Sequence, residues 1–168
     1  RKSNDIRRLN KFFEHANDKL PMGGYFIGCA ETFEQRRKRI LSKFPIFLNQ
    51  IYFLFDFIFK RIFPKLKLTQ KLYFFITHGK GRVFSKAEVL GRLVCCGFEI
   101  VDFTEFNNLH YFVAKKVNTP VYDMNPSYGP IFKMQRVGKG GKVIGVYKIR
   151  TMHPYSEYLQ NYILDING

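Results

Sequence analysis

A chain of 168 residues has room for one domain, or one domain with an appendage, and a hydrophobic content of 46% supplies a packed core, which excludes a disordered chain. A formal net charge of +15 draws polyanions: nucleic acid, anionic lipid head groups or phosphorylated small molecules. Three cysteines, two of them adjacent (Cys95, Cys96), fit reduced thiols in a cytosolic setting rather than a disulfide framework, and four scattered histidines give no ligand spacing, so no metal site is assigned.

The opening "RKSNDIRR" leads into no apolar core of a signal peptide, and an arginine in first position suggests a piece of a longer protein. No apolar run reaches the roughly 18 residues needed to span a bilayer. From Asn4 to Lys19, Ile6, Leu9, Phe12, Phe13 and Ala16 fall on one helical face, with Ser3 or Asn4 as the cap. "LPMGG" stops that helix, and "YFIGC", Tyr25 to Cys29, reads as a short buried strand.

An insert from Phe33 to Phe84 follows. Within it "EQRRKR" precedes "FPIFLNQIYFLFDFIFKRIFPKLK", where Asp56 is the one charge between Phe44 and Phe59. An aromatic helix flanked by Lys and Arg suits two settings. One is a core helix on the sheet or an oligomer contact; the other is an interfacial helix with its cations on anionic lipid. "LYFFIT", Leu72 to Thr77, reads as a strand.

"SKAE" has capping-box spacing: Ser85 accepts an amide proton from the first turn and Glu88 reaches back to the cap. The helix it opens turns Val89, Leu90, Leu93 and Val94 inward and closes at Gly97. "FEIVDF" and "LHYFVAKKV" alternate as two strands around Asn107 and Asn108.

A helix running into "LPMGGYFIG", then a later helix running into "GFEIV" and a strand pair, resembles the C-terminal half of a class I methyltransferase over residues 4–117. The expected fold is therefore α/β: a partial Rossmann-like (methyltransferase-like) sheet with helices, then a basic β-hairpin and a short C-terminal helix. No G-x-G-x-G follows a strand, and the cofactor of such enzymes needs that turn, so the region reads as a remnant without bound cofactor. The alternative is an active S-adenosylmethionine-dependent methyltransferase.

"VNTPVYDMNPSYGP" is a proline-rich connector, with the domain boundary at 118–128. Beyond it, "PIFKMQRV" and "KVIGVYKIR" are extended runs joined by "GKGG", whose glycines allow positive φ and let backbone amides face a ligand. Lys133, Arg136, Lys139, Lys142, Lys148 and Arg150 surround that loop. Cations beside exposed amides suit phosphate oxygens, whereas the plain reading is a solvated hairpin with surface lysines.

The stretch "GPIFKMQRVGKGGKVIGVYKIRTM", Gly129 to Met152, resembles the signature of the bacterial sugar transferases, the polyprenyl-phosphate phosphoglycosyltransferases. Gly129, Pro130, Phe132, Arg136, Val137, Gly138, Gly141, Lys142, Tyr147, Lys148, Arg150, Thr151 and Met152 fall at the family spacing. Gly145 stands where an aromatic is usual, and Ile149 where Phe or Leu is usual.

The resemblance implies transfer of a sugar 1-phosphate from a nucleotide sugar to undecaprenyl phosphate at the cytoplasmic face of the bacterial inner membrane, starting capsule, O-antigen or exopolysaccharide synthesis. It also implies Mg²⁺ and an adjacent Asp–Glu pair in the complete enzyme. No two acids are adjacent anywhere in this chain, and after Met152 only Glu157 and Asp165 occur. The family's apolar helix before "GP-x-F" is replaced by the connector. So no catalytic residue is assigned, and residues 129–168 are expected to be an opening fragment that is inactive alone. Arg136, Lys139, Lys142, Lys148 and Arg150 are its candidates for holding phosphate or for organising the catalytic domain. A nucleic-acid-binding module remains the alternative from another class: phosphate contacts from the cations and base stacking on the many Phe and Tyr.

Overall fold

The computed structural model describes residues 2–43, 45–122 and 131–167. Most of the connector, together with Gly129 and Pro130 of the signature, lies outside them.

The chain is mixed α/β. Helix α1 (Leu9–Lys19) leads to strand β1 (Tyr25–Ala30); helices α2 (Phe33–Lys43), α3 (Ile46–Phe57) and α4 (Lys67–Thr77) follow, α3 passing into α4 through a π turn and a 3₁₀ turn. Helix α5 (Lys86–Cys95), strands β2 (Phe98–Phe106) and β3 (Leu109–Lys116), strands β4 (Ile131–Val137) and β5 (Val143–Ile149), and helix α6 (Ser156–Asn167) complete it. The first sheet has the order β1-β3-β2 and is antiparallel throughout; β4 and β5 form a separate two-stranded ribbon.

Local signals set several of these elements. Ser85 Oγ accepts from the Glu88 amide at 3.2 Å and opens α5, and Gly97 ends it with φ of 82°. Asn107 and Asn108 both adopt positive φ in the two-residue loop between β2 and β3, the requirement of a type I′ turn. Val101 bulges out of β2, because Ile100 pairs with Ala114 while Asp102 pairs with Val113.

The core lies between this sheet and the pair α1 and α5. Phe13, Val89, Leu93, Phe98, Phe112 and Ala114 are almost wholly buried there, and Phe26 edges against Phe13 at a centroid separation of 5.8 Å. Gly28 pairs with Phe112 across β1 and β3, and the aromatic ring occupies the space a β-carbon would need. Strand β1 is not a buried strand as expected. It forms the sheet edge, with Tyr25 and Ile27 facing outward.

Three further expectations are corrected. The first helix starts at Leu9, not Asn4. The Asn4 side chain donates to the Glu31 and Arg82 carbonyls and accepts from the Glu31 amide, so it joins distant segments instead of capping. Leu72 to Thr77 belongs to α4 and not to a strand. Among the described residues they have no neighbouring strand to pair with, whereas helical spacing turns Tyr73 inward, edge-on to Phe59 at 5.4 Å. Nor is α3 a core helix on the sheet. It packs on α2, through Phe53 and Phe57 against Phe33, and turns Phe47, Leu48, Ile51 and Phe55 outward.

The ends of the 33–84 excursion meet. The Phe33 amide donates to the Phe84 carbonyl at 2.8 Å, and Thr32 bridges Phe84 in parallel register. Thus α2 to α4 form a helical outgrowth on the crossover between β1 and α5. Its root is an ion network in which Arg36 grips Asp56 with both Nε and Nη2, at 2.6 and 2.8 Å, and also reaches Glu31 at 3.3 Å. Burial works against the Arg36 charge, but Asp56 and Glu31 more than offset it and raise its pKa.

Candidate functional site

The β4/β5 ribbon carries the cations singled out in the sequence. Its register pairs Phe132 with Lys148 and Arg136 with Ile144. Side chains alternate along a strand and pair on one face across it, so Arg136 and Lys148 share the face of Phe132 and Met134. Arg150 extends that face and lies over the Phe132 ring, 4.9 Å from its centroid. Lys139 and Lys142 are at the exposed tip, where Gly140 and Gly141 have φ of 71° and 76°. The structure therefore sets Arg136, Lys148 and Arg150 on one face, with Lys148 and Arg150 near its open end and Arg136 near the tip, toward Lys139 and Lys142 of the loop. At Gly145, the usual aromatic would meet the stem of Lys133 from the opposite strand, which instead lies over Tyr147.

A second feature is a cavity of about 770 Å³ beside the C-terminal end of the ribbon. Its walls carry nine Lys and Arg against one carboxylate, Glu88. Glu88 is its organising centre. The carboxylate accepts from Arg92 at 2.9 Å and Arg61 at 3.1 Å, with the Lys65 ammonium at 3.7 Å. Burial alone would push the Glu88 carboxyl up, but Arg92, Lys65 and Arg61 hold it below the usual range. Its side chain turns to these cations and not back to the helix cap, so only the Ser85 half of the expected capping box forms. The local reason is that three cationic groups converge where one amide would otherwise be satisfied.

Lys65 lies within that cluster, its side chain 23% exposed. Burial brings its pKa down to about 8; Glu88 pulls the other way, and Arg61, Arg92 and Arg150 add to the lowering. Arg150 thereby links the ribbon electrostatically to the cavity. A direct tie is the contact of Arg61 Nη2 with His153 Nδ1 at 3.3 Å. The residue just before α6 closes the same side: Tyr155 is buried, its hydroxyl accepts from Asn10 at 2.7 Å, and its ring lies 4.4 Å beneath the Arg92 guanidinium.

Sequence reading missed this cavity. Its cations come from the approach to α1 and its first turn, the turns after α3, α4 itself, the loop before α5, and α5, and no local motif unites them. The one available signal was the cationic excess of "RKSNDIRR" and "KRIFPKLK".

Among the described residues no group of three or more His, Cys, Asp or Glu could hold a metal ion. The residues present do not fit the Mg²⁺ that the sugar-transferase resemblance implies, and no step is assigned to it. No helix among the described residues is long and apolar enough to cross a membrane. Compared with protein-family models, with curated proteins and with solved structures, the chain finds no match in any of the three.

Proposed function

We propose that the chain is part of a bacterial sugar transferase that moves a sugar 1-phosphate from a nucleotide sugar to undecaprenyl phosphate, at the cytoplasmic face of the inner membrane, in capsule, O-antigen or exopolysaccharide synthesis. The carrying observation is the fold of the signature segment: one antiparallel ribbon with Arg136, Lys148 and Arg150 on a single face and a glycine-hinged cationic tip. That display suits anionic oxygens of a diphosphate or a lipid phosphate. The ribbon also exposes Ile131, Val137, Val143, Tyr147 and Ile149. A two-stranded ribbon is marginal in water, and these apolar side chains support a reading in which further polypeptide of the parent protein packs on it.

Residues 4–117 are the methyltransferase-like portion in this reading. Strands β1 and β2 run parallel to each other with antiparallel β3 between them, and α5 makes the crossover. This order supports the end of a Rossmann-like sheet. The outward Phe47, Leu48 and Phe55, and Leu68 of α4, support seating on a lipid surface, the apolar side chains entering it and neighbouring Lys and Arg meeting anionic head groups.

The test is a transfer assay on the product of the complete reading frame, in membranes, with Mg²⁺, nucleotide sugars and undecaprenyl phosphate. The expected result is sugar 1-phosphate transfer with release of nucleoside monophosphate, none from the 168-residue chain alone, and at least about tenfold loss for Arg136→Ala or Arg150→Ala, as when a donor to a developing negative charge is removed. A complete product that transfers nothing to the lipid phosphate overturns the reading.

A further inference from the structure

The cavity around Glu88 has a charge balance that the rest of the fold does not explain. Lys60 has Asp56 at 3.7 Å, and Arg61, Lys65 and Arg92 share Glu88. Arg8, Lys11 and Lys71 also line it, and among the described residues none of the three is in a salt bridge. Bringing so many like charges to one concave wall costs free energy by repulsion and by desolvation of the inner ones. A surface free to choose would scatter them. The walls are not polar throughout, since Phe74, Phe75 and Phe84 also line them. A volume of about 770 Å³ suits a small organic ligand.

We infer that this cavity binds a phosphate ester carrying two or more phosphates on an aromatic or apolar body, with the phosphates among Arg8, Lys11, Lys71 and the Arg61–Lys65 pair. Multiple phosphates are required because a single one leaves most of this charge uncompensated. Oxygen acceptors meet guanidinium and ammonium donors in charge-assisted hydrogen bonds, while the body lies against the phenylalanine wall. Glu88 holds Arg61 and Arg92 in place, and its repulsion of a phosphate is outweighed by the three cations around it. The site is separate from the candidates on the ribbon, and the inference stands whether or not the ribbon belongs to a sugar transferase.

Titration calorimetry of the chain with inorganic pyrophosphate, ADP and geranyl diphosphate, without added metal, tests it. Pyrophosphate is expected to bind at one site per chain, weakening as salt rises. At least one of the two esters is expected to bind tighter than pyrophosphate, and the tighter one distinguishes a nucleotide from a lipid source. Lys71→Glu, at an exposed position, and the pair Arg8→Ala with Lys11→Ala should each weaken pyrophosphate about tenfold or more, with far-ultraviolet circular dichroism unchanged. Lys139→Ala with Lys142→Ala at the ribbon tip should leave it as it was. Absence of single-site binding, esters no tighter than pyrophosphate, or equal losses from the ribbon-tip pair would each overturn the inference.

Discussion

Gly91, in the middle of α5, lies directly beneath the backbone of Tyr155, with no space between them for a side chain; a β-carbon there would overlap the Tyr155 carbonyl. Tyr155 itself holds φ of 66°, a left-handed value a tyrosine adopts only under constraint. An exposed helical glycine changed to alanine gains about 1 kcal/mol. Here Gly91→Ala is expected to lose about 1–3 kcal/mol, because backbone and not a flexible tip must give way. Urea unfolding measures the loss, and hydrogen exchange should rise first in α6. A stabilised variant would show that α6 does not dock on α5.

The Arg36–Asp56 pair predicts a larger effect at the root of the helical outgrowth. Both side chains are less than a tenth exposed. Asp56→Ala leaves Arg36 with Glu31 alone and should cost on the order of 3 kcal/mol, whereas replacing both with Met and Leu should recover much of it. Thermal melts of the two variants against the parent decide it. Equal losses from the single and the double change would mean the pair contributes by packing alone.

Lys65 makes stability depend on pH in a defined direction. An unfolded lysine titrates near 10.5, and the folded one near 8. Between those values the unfolded chain binds more protons, so this group's contribution to stability rises with pH; below about 8 the cost of its buried charge is present in full. Lys65→Met removes that cost. The variant should exceed the parent at pH 7 by on the order of 1–2 kcal/mol after allowance for residual solvation, with the gap closing toward pH 10. The comparison cancels the opposing effect of Cys96, whose thiol burial pushes up in both proteins. Parallel pH curves would contradict the assignment.

The exposed aromatic face of α3 predicts lipid dependence. Phe47 is 86% exposed and Phe55 66%, so changing both to Asp should leave the fold unaltered. Vesicles containing phosphatidylserine should carry the parent chain in flotation, neutral vesicles should carry it poorly, and the double variant should lose at least about half of the bound fraction. A salt titration with single-stranded DNA provides the contrast. Tight, salt-sensitive binding of DNA with no vesicle binding would favour the nucleic-acid module.

What could be read along the chain is what depends on near neighbours. Ser85 as a cap, Gly97 as a stop, the Asn107–Asn108 turn, the alternation of β2 and β3 and the glycine tip between β4 and β5 all rest on backbone geometry spanning a few residues. Those signals therefore appear in the sequence as surely as in the fold. The strand register, which places Arg136, Lys148 and Arg150 on one face, follows from the same period of two once the loop length is set.

Tertiary structure decided the rest. Leu72 to Thr77 carries strand-forming residues but has no partner strand among the described residues, so helical burial of Tyr73 prevails. Asn4 looks like a cap and serves as a tie between segments some 27 and 78 positions away. Glu88 has the spacing to close its own helix end, yet Arg61, Lys65 and Arg92 take its carboxylate, because a buried charge is stabilised far more by opposite charges than by one amide donor. The cationic cavity belongs to this second kind: its residues stretch from Arg7 to Arg92 and meet only through packing, a relation that no spacing along the chain encodes.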